Sequence, residues 1–419
     1  MYDLAIMWDW LAFGVRWLHV ITAIAWIGAS FYFIALDLML RKADGMPEGA
    51  YGEEWEVHGG GFYHTTKYLV APARLPEHLT WHKWQSYWTW LSGAALLAIV
   101  YWAGAELFLI DPNKADLATW QAVLISAAFI AVGWVGYDLL CKSPLKTRPT
   151  VVMLILFAGI VVVSYALNQI FTGRAALLHL GAMTATIMTG NVFFVIMPNQ
   201  RIVVKDLQEG RTPDPKYGQI AKLRSTHNNY LTLPVLFLML SNHYPLAFGT
   251  QYAWIIAALV FLMGVTIRHY FNTMHATGRG PAWTIGATAF IFVIIAWLSV
   301  APTWDGDYEA LDAQAMTDYE TRYAEAEGFA DVENIVLGRC SMCHAREPNW
   351  DGILWAPKGV HLETPADIAR EARQIYLQAG VSHAMPPANL TEISPEERAR
   401  IVAWFRGAND GLELASLTD

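Results

Sequence analysis

Long apolar segments recur along roughly the first three hundred residues, and they limit what this chain can fold into more than any other feature. Each is close to the roughly twenty residues that an α-helix needs to cross the hydrocarbon core of a bilayer. Hydrophobic residues make up 55% of the 419-residue chain and charged residues only 16%, which is unlike an ordinary soluble domain. We therefore predict an all-α membrane protein whose backbone hydrogen bonds close within helices.

Eight of these segments are predicted to be transmembrane helices. The first is interpreted as a retained helix and not a signal peptide, because no positive region precedes it and no small-residue cleavage site follows it. The sixth is short and contains Pro234, so a re-entrant sixth segment and a total of seven is the alternative. The predicted helices span residues 10–40, 84–105, 117–140, 150–171, 175–197, 228–244, 251–273 and 282–301.

A cysteine pair near the C-terminus points to a metal cofactor. Cys340 and Cys343 are followed directly by His344, which is the C-x-x-C-H signature of covalent haem c attachment. The cysteines would form thioethers with the haem, and His344 would supply one axial iron ligand. Met385, which precedes two prolines, is the predicted second axial ligand. A redox dithiol or half a zinc site is the alternative, but neither needs the adjacent histidine or the distant methionine.

The residues around this motif predict a separate small domain. A short helix leads into Cys340, and Ser394 followed by Pro395 opens a final helix that Gly407 closes. Helix, haem motif, methionine loop and helix together resemble a small class I cytochrome c domain. The expected division is a membrane domain at 1–301, an acidic linker at 302–328, a cytochrome c domain at 329–410 and a tail at 411–419.

The distribution of charge predicts an orientation and a class of partner. With the N-terminus outside, sixteen Lys and Arg residues lie on inner segments and three on outer segments. Eight helices then place the cytochrome c domain on the periplasmic side of a bacterial cytoplasmic membrane, where haem c is attached. Residues 302–419 carry 21 acidic and nine basic side chains, a net charge of −12, against +3 for the first 301. This acidity favours a partner with a basic surface and no nucleic acid.

Ionisable residues within the predicted membrane helices indicate function by default. His19 and His179 lie at matching depth, and a pair of imidazoles would suit an intramembrane haem b. The alternative is that each is a hydrogen-bonded core residue. The segment at about 41–83 is long enough to be a lid or binding element, or simply a solvated cap. Glu77 and His78 lie within it.

Three stretches of the membrane part are distinctive: His-Asn-Asn-Tyr-Leu-Thr-Leu-Pro at 227–234, Ser-Asn-His-Tyr-Pro at 241–245 and Gly-Gly-Gly-Phe-Tyr at 59–63. With these stretches, the helix count and the haem motif, the chain resembles the bacterial membrane-bound urate hydroxylases, the cytochrome-c-type urate oxidases, over its whole length. This resemblance implies conversion of urate and water to 5-hydroxyisourate, with two electrons passed to cytochrome c and then to a terminal oxidase.

Urate is a planar anion with carbonyl acceptors and N–H donors, and arginine, asparagine and histidine are suited to bind it. Histidine also suits the proton transfers that accompany its oxidation near neutral pH. Glu77 and His78 are candidate proton handlers. Helix-end hydrogen bonding is the alternative role for each. The candidates for the pocket are His227, Asn228, Asn229, Asn242, His243, Arg268 and His269.

Two other functions remain open from the sequence. The membrane part could merely anchor a cytochrome c electron-transfer subunit to a respiratory complex, although one helix would suffice for that. The bundle could also transport a purine, with the haem domain as a redox sensor. No inverted internal repeat of the transporter kind is evident, which disfavours transport.

Overall fold

The structure, a computed structural model, describes residues 4–72, 74–112, 114–301, 316–353 and 356–409. Helices dominate both parts of the chain. Those of the N-terminal part are α1 (Leu4–Met39), α2 (Trp84–Leu96), α3 (Ala105–Phe108), α4 (Thr119–Lys142), α5 (Pro149–Ile170), α6 (Gly173–Gly190), α7 (Met197–Gln208), α8 (Pro215–Leu240), α9 (Ala253–Thr277) and α10 (Ala282–Val300).

Each of the eight predicted segments is helical. Within the described residues, six helices are long and apolar enough to cross a membrane: α1, α4, α5, α6 joined to α7, α9 and α10. The other two segments correspond to α2 and α8. The sixth segment is not short, because α8 starts at Pro215 behind the N-cap Asp214 and runs for 26 residues through Pro234. Its first half carries Lys, Arg and polar residues, which conceal it from a search for apolar runs.

The helices pack closely where glycine allows it. α6, which lies against α4, α5 and α8, is largely buried. A side chain at Gly190, its last residue, would meet the Trp134 ring at 2.6 Å. A side chain at Gly264 of α9 would lie 2.5 Å from the Pro234 ring of α8. These two glycines therefore set how closely the neighbouring helices approach.

The segment between α1 and α2 contains a β-hairpin, so the all-α prediction is wrong there. Strands β1 (Ala50–His58) and β2 (Gly61–Tyr68) are antiparallel, with His58 opposite Gly61. Gly59 and Gly60 have φ of 59° and 81°, as a tight two-residue hairpin turn requires. Alternating residues on both sides of this glycine pair were the signal that the sequence interpretation missed.

The C-terminal part has its own hydrophobic core, built around Trp404 and Tyr376. The Trp404 indole N–H donates to the Tyr323 carbonyl (3.0 Å). Its helices are α11 (Asp318–Ala324), α12 (Phe329–Arg339), α13 (Ser341–His344), α14 (Pro365–Arg370), α15 (Ala372–Ile375) and α16 (Pro395–Gly407).

The helix before the haem motif and the final helix were both predicted, and the final helix is opened by a Ser394–Glu397 capping box. By contrast, α11 falls in the segment assigned to the linker, yet its tyrosines Tyr319 and Tyr323 belong to the C-terminal core. The rest of the linker at 302–315 and the predicted tail lie outside the described residues.

The C-terminal part lies against the end of the bundle where α1 begins. Ile6 and Leu107 pack on its core. Arg373 approaches the Asp9 carboxylate at 3.7 Å. This contact brings the predicted haem motif to the same end of the bundle as the N-terminus.

Candidate functional site

The predicted haem-binding residues lie in two segments, and the local hydrogen bonding of His344 fits the role of an iron ligand. Cys340 ends α12, and Cys343 and His344 lie in the single turn α13; both thiols are free. The His344 Nδ1 lies 2.9 Å from the Val360 carbonyl, to which its N–H donates. That bond leaves Nε2 as the nitrogen for iron, which is the arrangement expected of a metal-ligating histidine.

Met385 lies in a loop that a buried arginine holds. Its backbone N–H donates to the Gln378 carbonyl at 2.9 Å. Its own carbonyl accepts from Arg398 Nη1 at 2.9 Å. Arg398 also donates to the Ala379 carbonyl and to Asn389 Oδ1 (3.0 Å). The Met385 side chain itself is 37% exposed, so its thioether is not committed to the protein core.

Two groups of buried polar residues lie inside the bundle, on opposite faces of α8. In the first, Arg224 Nη2 donates to Asp138 Oδ1 (2.8 Å) and Nη1 donates to Asn191 Oδ1 (3.0 Å). The Asp138 carboxylate also pairs with Lys142 at 2.6 Å, near the end of α4. We name this group the Asp138 cluster: Asp138, Arg224, Asn191, Tyr137, His227 and Asn228.

The inner members of the Asp138 cluster reach His227. Asn191 Nδ2 donates to Asn228 Oδ1 (2.8 Å) and to the Tyr137 hydroxyl (3.0 Å). That hydroxyl lies 2.9 Å from His227 Nδ1. The other imidazole nitrogen, Nε2, is buried and has no hydrogen-bond partner. A buried nitrogen of this kind is available to a bound molecule.

The second group, the Arg268 cluster, consists of Arg268, Asn229, Asn272 and Phe31. Arg268 Nη2 donates to Asn272 Oδ1 (2.9 Å), and Nε donates to Asn229 Oδ1 (3.3 Å). The guanidinium lies 4.2 Å from the centre of the Phe31 ring. The Asn229 amide nitrogen is buried without a partner, and the residue has no exposed surface.

The buried arginines of the two clusters, Arg224 and Arg268, differ in their counter-ions. Arg224 is paired with the carboxylate of Asp138. Arg268 forms no ion pair with any carboxylate in the part of the chain that the structure describes, and its partners are neutral amides and an aromatic ring. Burying an unpaired cation costs several kcal/mol. The Arg268 cluster therefore lacks a negative charge, which a bound anion would supply.

The remaining candidates from the sequence are not brought together with these clusters. Glu77, His78, His243 and His269 are all exposed. His269 lies beside Trp283, at 6.1 Å between ring centres. Asn242 is partly buried, and its Oδ1 lacks a partner. The buried candidates His227, Asn228, Asn229 and Arg268 thus define the interior, and the other residues lie at its ends.

His19 and His179 each have protein partners. His19 Nδ1 lies 3.0 Å from the Thr89 carbonyl and 3.1 Å from Ser92 Oγ. His179 is fully buried, with Nε2 at 2.7 Å from Ser126 Oγ and Nδ1 at 2.8 Å from the Ala175 carbonyl. A haem iron could bind His179 only by displacing one of these bonds. The intramembrane haem b stays a prediction.

Several cluster members were missed in the sequence. Asp138 and Arg224 carry charge in predicted or adjoining helical segments, and Arg224 lies one turn before His227 and Asn228. That spacing could have predicted from the sequence that Arg224 belongs to the same group. The sequence contains no comparable signal for Tyr137, Asn191 and Asn272, because a single polar residue in an apolar helix can be interpreted only once its neighbours are known.

The fold and these clusters define a helical protein with membrane-compatible helices and a polar interior that holds a guanidinium paired only with amides and an aromatic ring among the described residues. A family model described as "Urate oxidase N-terminal" matches residues 5–299. The chain therefore belongs to this family, which confirms the coarser part of the resemblance seen in the sequence. No curated protein and no solved structure gives a significant match to the chain.

Proposed function

We propose that the bundle lies in a membrane and oxidises urate to 5-hydroxyisourate, and that the C-terminal part carries haem c and takes the electrons away. The balanced reaction is urate plus water giving 5-hydroxyisourate, two protons and two electrons. Membership of the urate oxidase N-terminal family supports the substrate. The C-x-x-C-H motif and the Met385 loop support the electron acceptor.

The observation that carries this proposal is the Arg268 cluster. Urate is an anion at neutral pH, and its charge would complete the unpaired guanidinium. The Asn229 amide, with a free N–H, would donate to a urate carbonyl. The Phe31 ring beside Arg268 supplies an apolar face next to the site. A charge-assisted hydrogen bond in such a place contributes about 1.5–3 kcal/mol.

His227 is the candidate for handling the protons. In the tautomer whose Nδ1–H donates to the Tyr137 oxygen, the buried Nε2 is a free base. The Asp138 cluster continues from there to Lys142, whose side chain is exposed at the end of α4. His227 and Asn229 lie on different faces of α8, so in this proposal His227 does not contact the anion held by Asn229 and takes up protons only after they leave the substrate.

Haem c would accept electrons one at a time when bound by Cys340, Cys343, His344 and Met385. The C-terminal part lies at the α1-start end of the bundle, on the side assigned to the periplasm by the Lys and Arg distribution. The net negative charge of the C-terminal part suits electron transfer to a soluble cytochrome c or a terminal oxidase with a basic surface.

The direct test adds urate to the purified full-length protein without oxygen while the haem absorbance is recorded. We expect reduction of the c-type haem and formation of 5-hydroxyisourate. No reduction would reject the enzyme and favour an electron-transfer subunit. Urate uptake into vesicles by a protein truncated at residue 301, with no oxidation by the full chain, would favour transport.

The role of Arg268 is tested by its neutral and charge-conserving variants. Arg268→Gln should weaken urate binding by about 10- to 150-fold, the equivalent of one charge-assisted hydrogen bond. Arg268→Lys keeps the charge and should recover part of the affinity. Equilibrium dialysis with labelled urate measures both. Equal binding by all three proteins would remove Arg268 from the site even if urate still reduces the haem.

A further inference from the structure

The β-hairpin between α1 and α2 has two unlike faces. Residues alternate along each strand, so Glu56 and Tyr63 share one face with Lys67, while Trp55, Val57 and Phe62 share the other. The first face contacts α1: the Tyr32 hydroxyl donates to Glu56 Oε2 (2.6 Å), and Lys67 pairs with Asp37. The second face therefore points away from the protein.

The outward face is apolar at one end and polar at the other. At the tip, Val57 is 73% and Phe62 is 77% exposed, and they pair across the strands. Trp55 is also exposed and stacks on His64, with ring centres 4.2 Å apart. Towards the base, His64 bonds to Glu53 at 3.0 Å. An exposed apolar patch of this kind marks a surface that contacts another protein or a membrane.

The contacts with α1 fix which way the tip points. Asp37, near the end of α1, meets the base of the hairpin through Lys67. Tyr32, more than one turn earlier, meets Glu56 near the tip. The hairpin thus folds back along α1, and its tip lies towards the middle of that helix. Arg41 and Glu53 hold the base through two backbone hydrogen bonds of 2.9 Å.

The length of α1 places that tip relative to a bilayer. Its 36 residues extend about 54 Å, whereas the hydrocarbon core is about 30 Å thick. A core that begins at the exposed Trp10 ends roughly twenty residues later, just before Tyr32. The hairpin tip then lies at the inner boundary of the hydrocarbon, where aromatic side chains are favoured.

We propose that the hairpin tip, Trp55, Val57 and Phe62, inserts into the interface of the inner lipid leaflet and anchors the segment between α1 and α2. The lipid surface is the occupant because the apolar patch is graded along the direction of the membrane normal, with its polar end away from the bilayer. This inference rests on the membrane placement proposed above and is independent of urate chemistry.

The test attaches nitroxide labels to single introduced cysteines in the full chain, reconstituted in lipid bilayers. The Cys141→Ala protein is the background, and the signal that it gives without an introduced cysteine is subtracted. Labels at Val57 and Phe62 are expected to collide with oxygen and to lose collisions with a water-soluble nickel chelate. Asp44, exposed before the hairpin, is the aqueous control. Ile24, exposed in the middle of α1, is the lipid control.

Each outcome separates the alternatives. Nickel collisions at Val57 as frequent as at Asp44 would place the tip in water and overturn the proposal. Protection from both reagents, with spin–spin broadening between labels, would show a second copy on the patch and would also overturn it. An Ile24 label without lipid contact would instead reject the membrane placement itself. The double variant Val57→Asp with Phe62→Asp should abolish the oxygen preference of a Trp55→Cys label.

Discussion

Single residues in this protein are held by partners that are distant in sequence. Arg398 is the clearest case: it belongs to α16, is buried, and bonds to the carbonyls of Ala379 and Met385. Arg339, the residue before Cys340, similarly bonds to the Thr391 carbonyl and to Glu397. These two arginines tie the haem motif and the methionine loop to the same helix.

Replacing Arg398 by Gln should loosen Met385. Without the guanidinium, buried carbonyls lose their donors, at a cost of about 1–3 kcal/mol for each group left unpaired. In the protein carrying the proposed haem c, we expect a weaker methionine–iron charge-transfer band in the oxidised form and a lower reduction potential, since methionine ligation would raise that potential. Arg400→Gln is the control, because Arg400 is exposed on the same helix, 3.7 Å from Asp331. Identical spectra and potentials for both variants would contradict this role.

At the scale of helices and strands, the sequence predicted the helical segments well and their polar ends poorly. Apolar length identifies a membrane-compatible helix such as α10, but the start of α8 at Pro215 depends on a cap and on burial of Arg224 against Asp138. Such tertiary pairing overrides local hydropathy. For the same reason the candidate site was only half predicted: Arg268 and His227 stand out by type, whereas Asn272 and Asp138 acquire meaning from partners on other helices.

The crossing of α8 and α9 yields a prediction of its own. Gly264→Ala would place a Cβ 2.5 Å from the rigid Pro234 ring, and overpacking of this kind costs about 1–3 kcal/mol. We expect a lower unfolding temperature and weaker urate binding, since Arg268 lies one turn from Gly264. Gly286→Ala, with no atom within 4 Å of the added Cβ, should be neutral or stabilising. Thermal unfolding in detergent compares the stability of the two variants, and equilibrium dialysis with labelled urate compares their binding.

Over the whole molecule, the contact between the bundle and the C-terminal part contains a partly buried acid, Glu371. Glu371 lines a cavity of about 160 Å³ together with Arg174 and Arg370. Burial raises the pKa of Glu371 above its usual range, although Arg370 and Arg174 act in the opposite direction. The folded protein therefore binds this proton more tightly than the unfolded chain does.

This raised pKa predicts a pH dependence of stability. The stabilising contribution is fully present below the pKa of Glu371 in the unfolded chain, and it is lost as pH rises through the higher folded-state pKa. Glu371→Gln should reduce the change of stability with pH between the unfolded-state and folded-state pKa of Glu371, and it should raise the unfolding temperature at neutral pH. Calorimetric scans at a series of pH values would measure the unfolding temperature of both proteins. Parallel curves for the two proteins would contradict the assignment.

The bonding of two consecutive asparagines of α8 to different neighbouring helices has a mechanical consequence. Asn228 is bonded towards α6 and Asn229 towards α9, so a rotation of this rod about its axis changes both bonds at once. Pro234 removes one backbone donor from the middle of the rod, which lowers its resistance to bending there. Because Pro234 lies beyond both asparagines, they share one unbroken turn of α8, and a displacement of Asn229 at the Arg268 cluster is coupled to Asn228 in the Asp138 cluster.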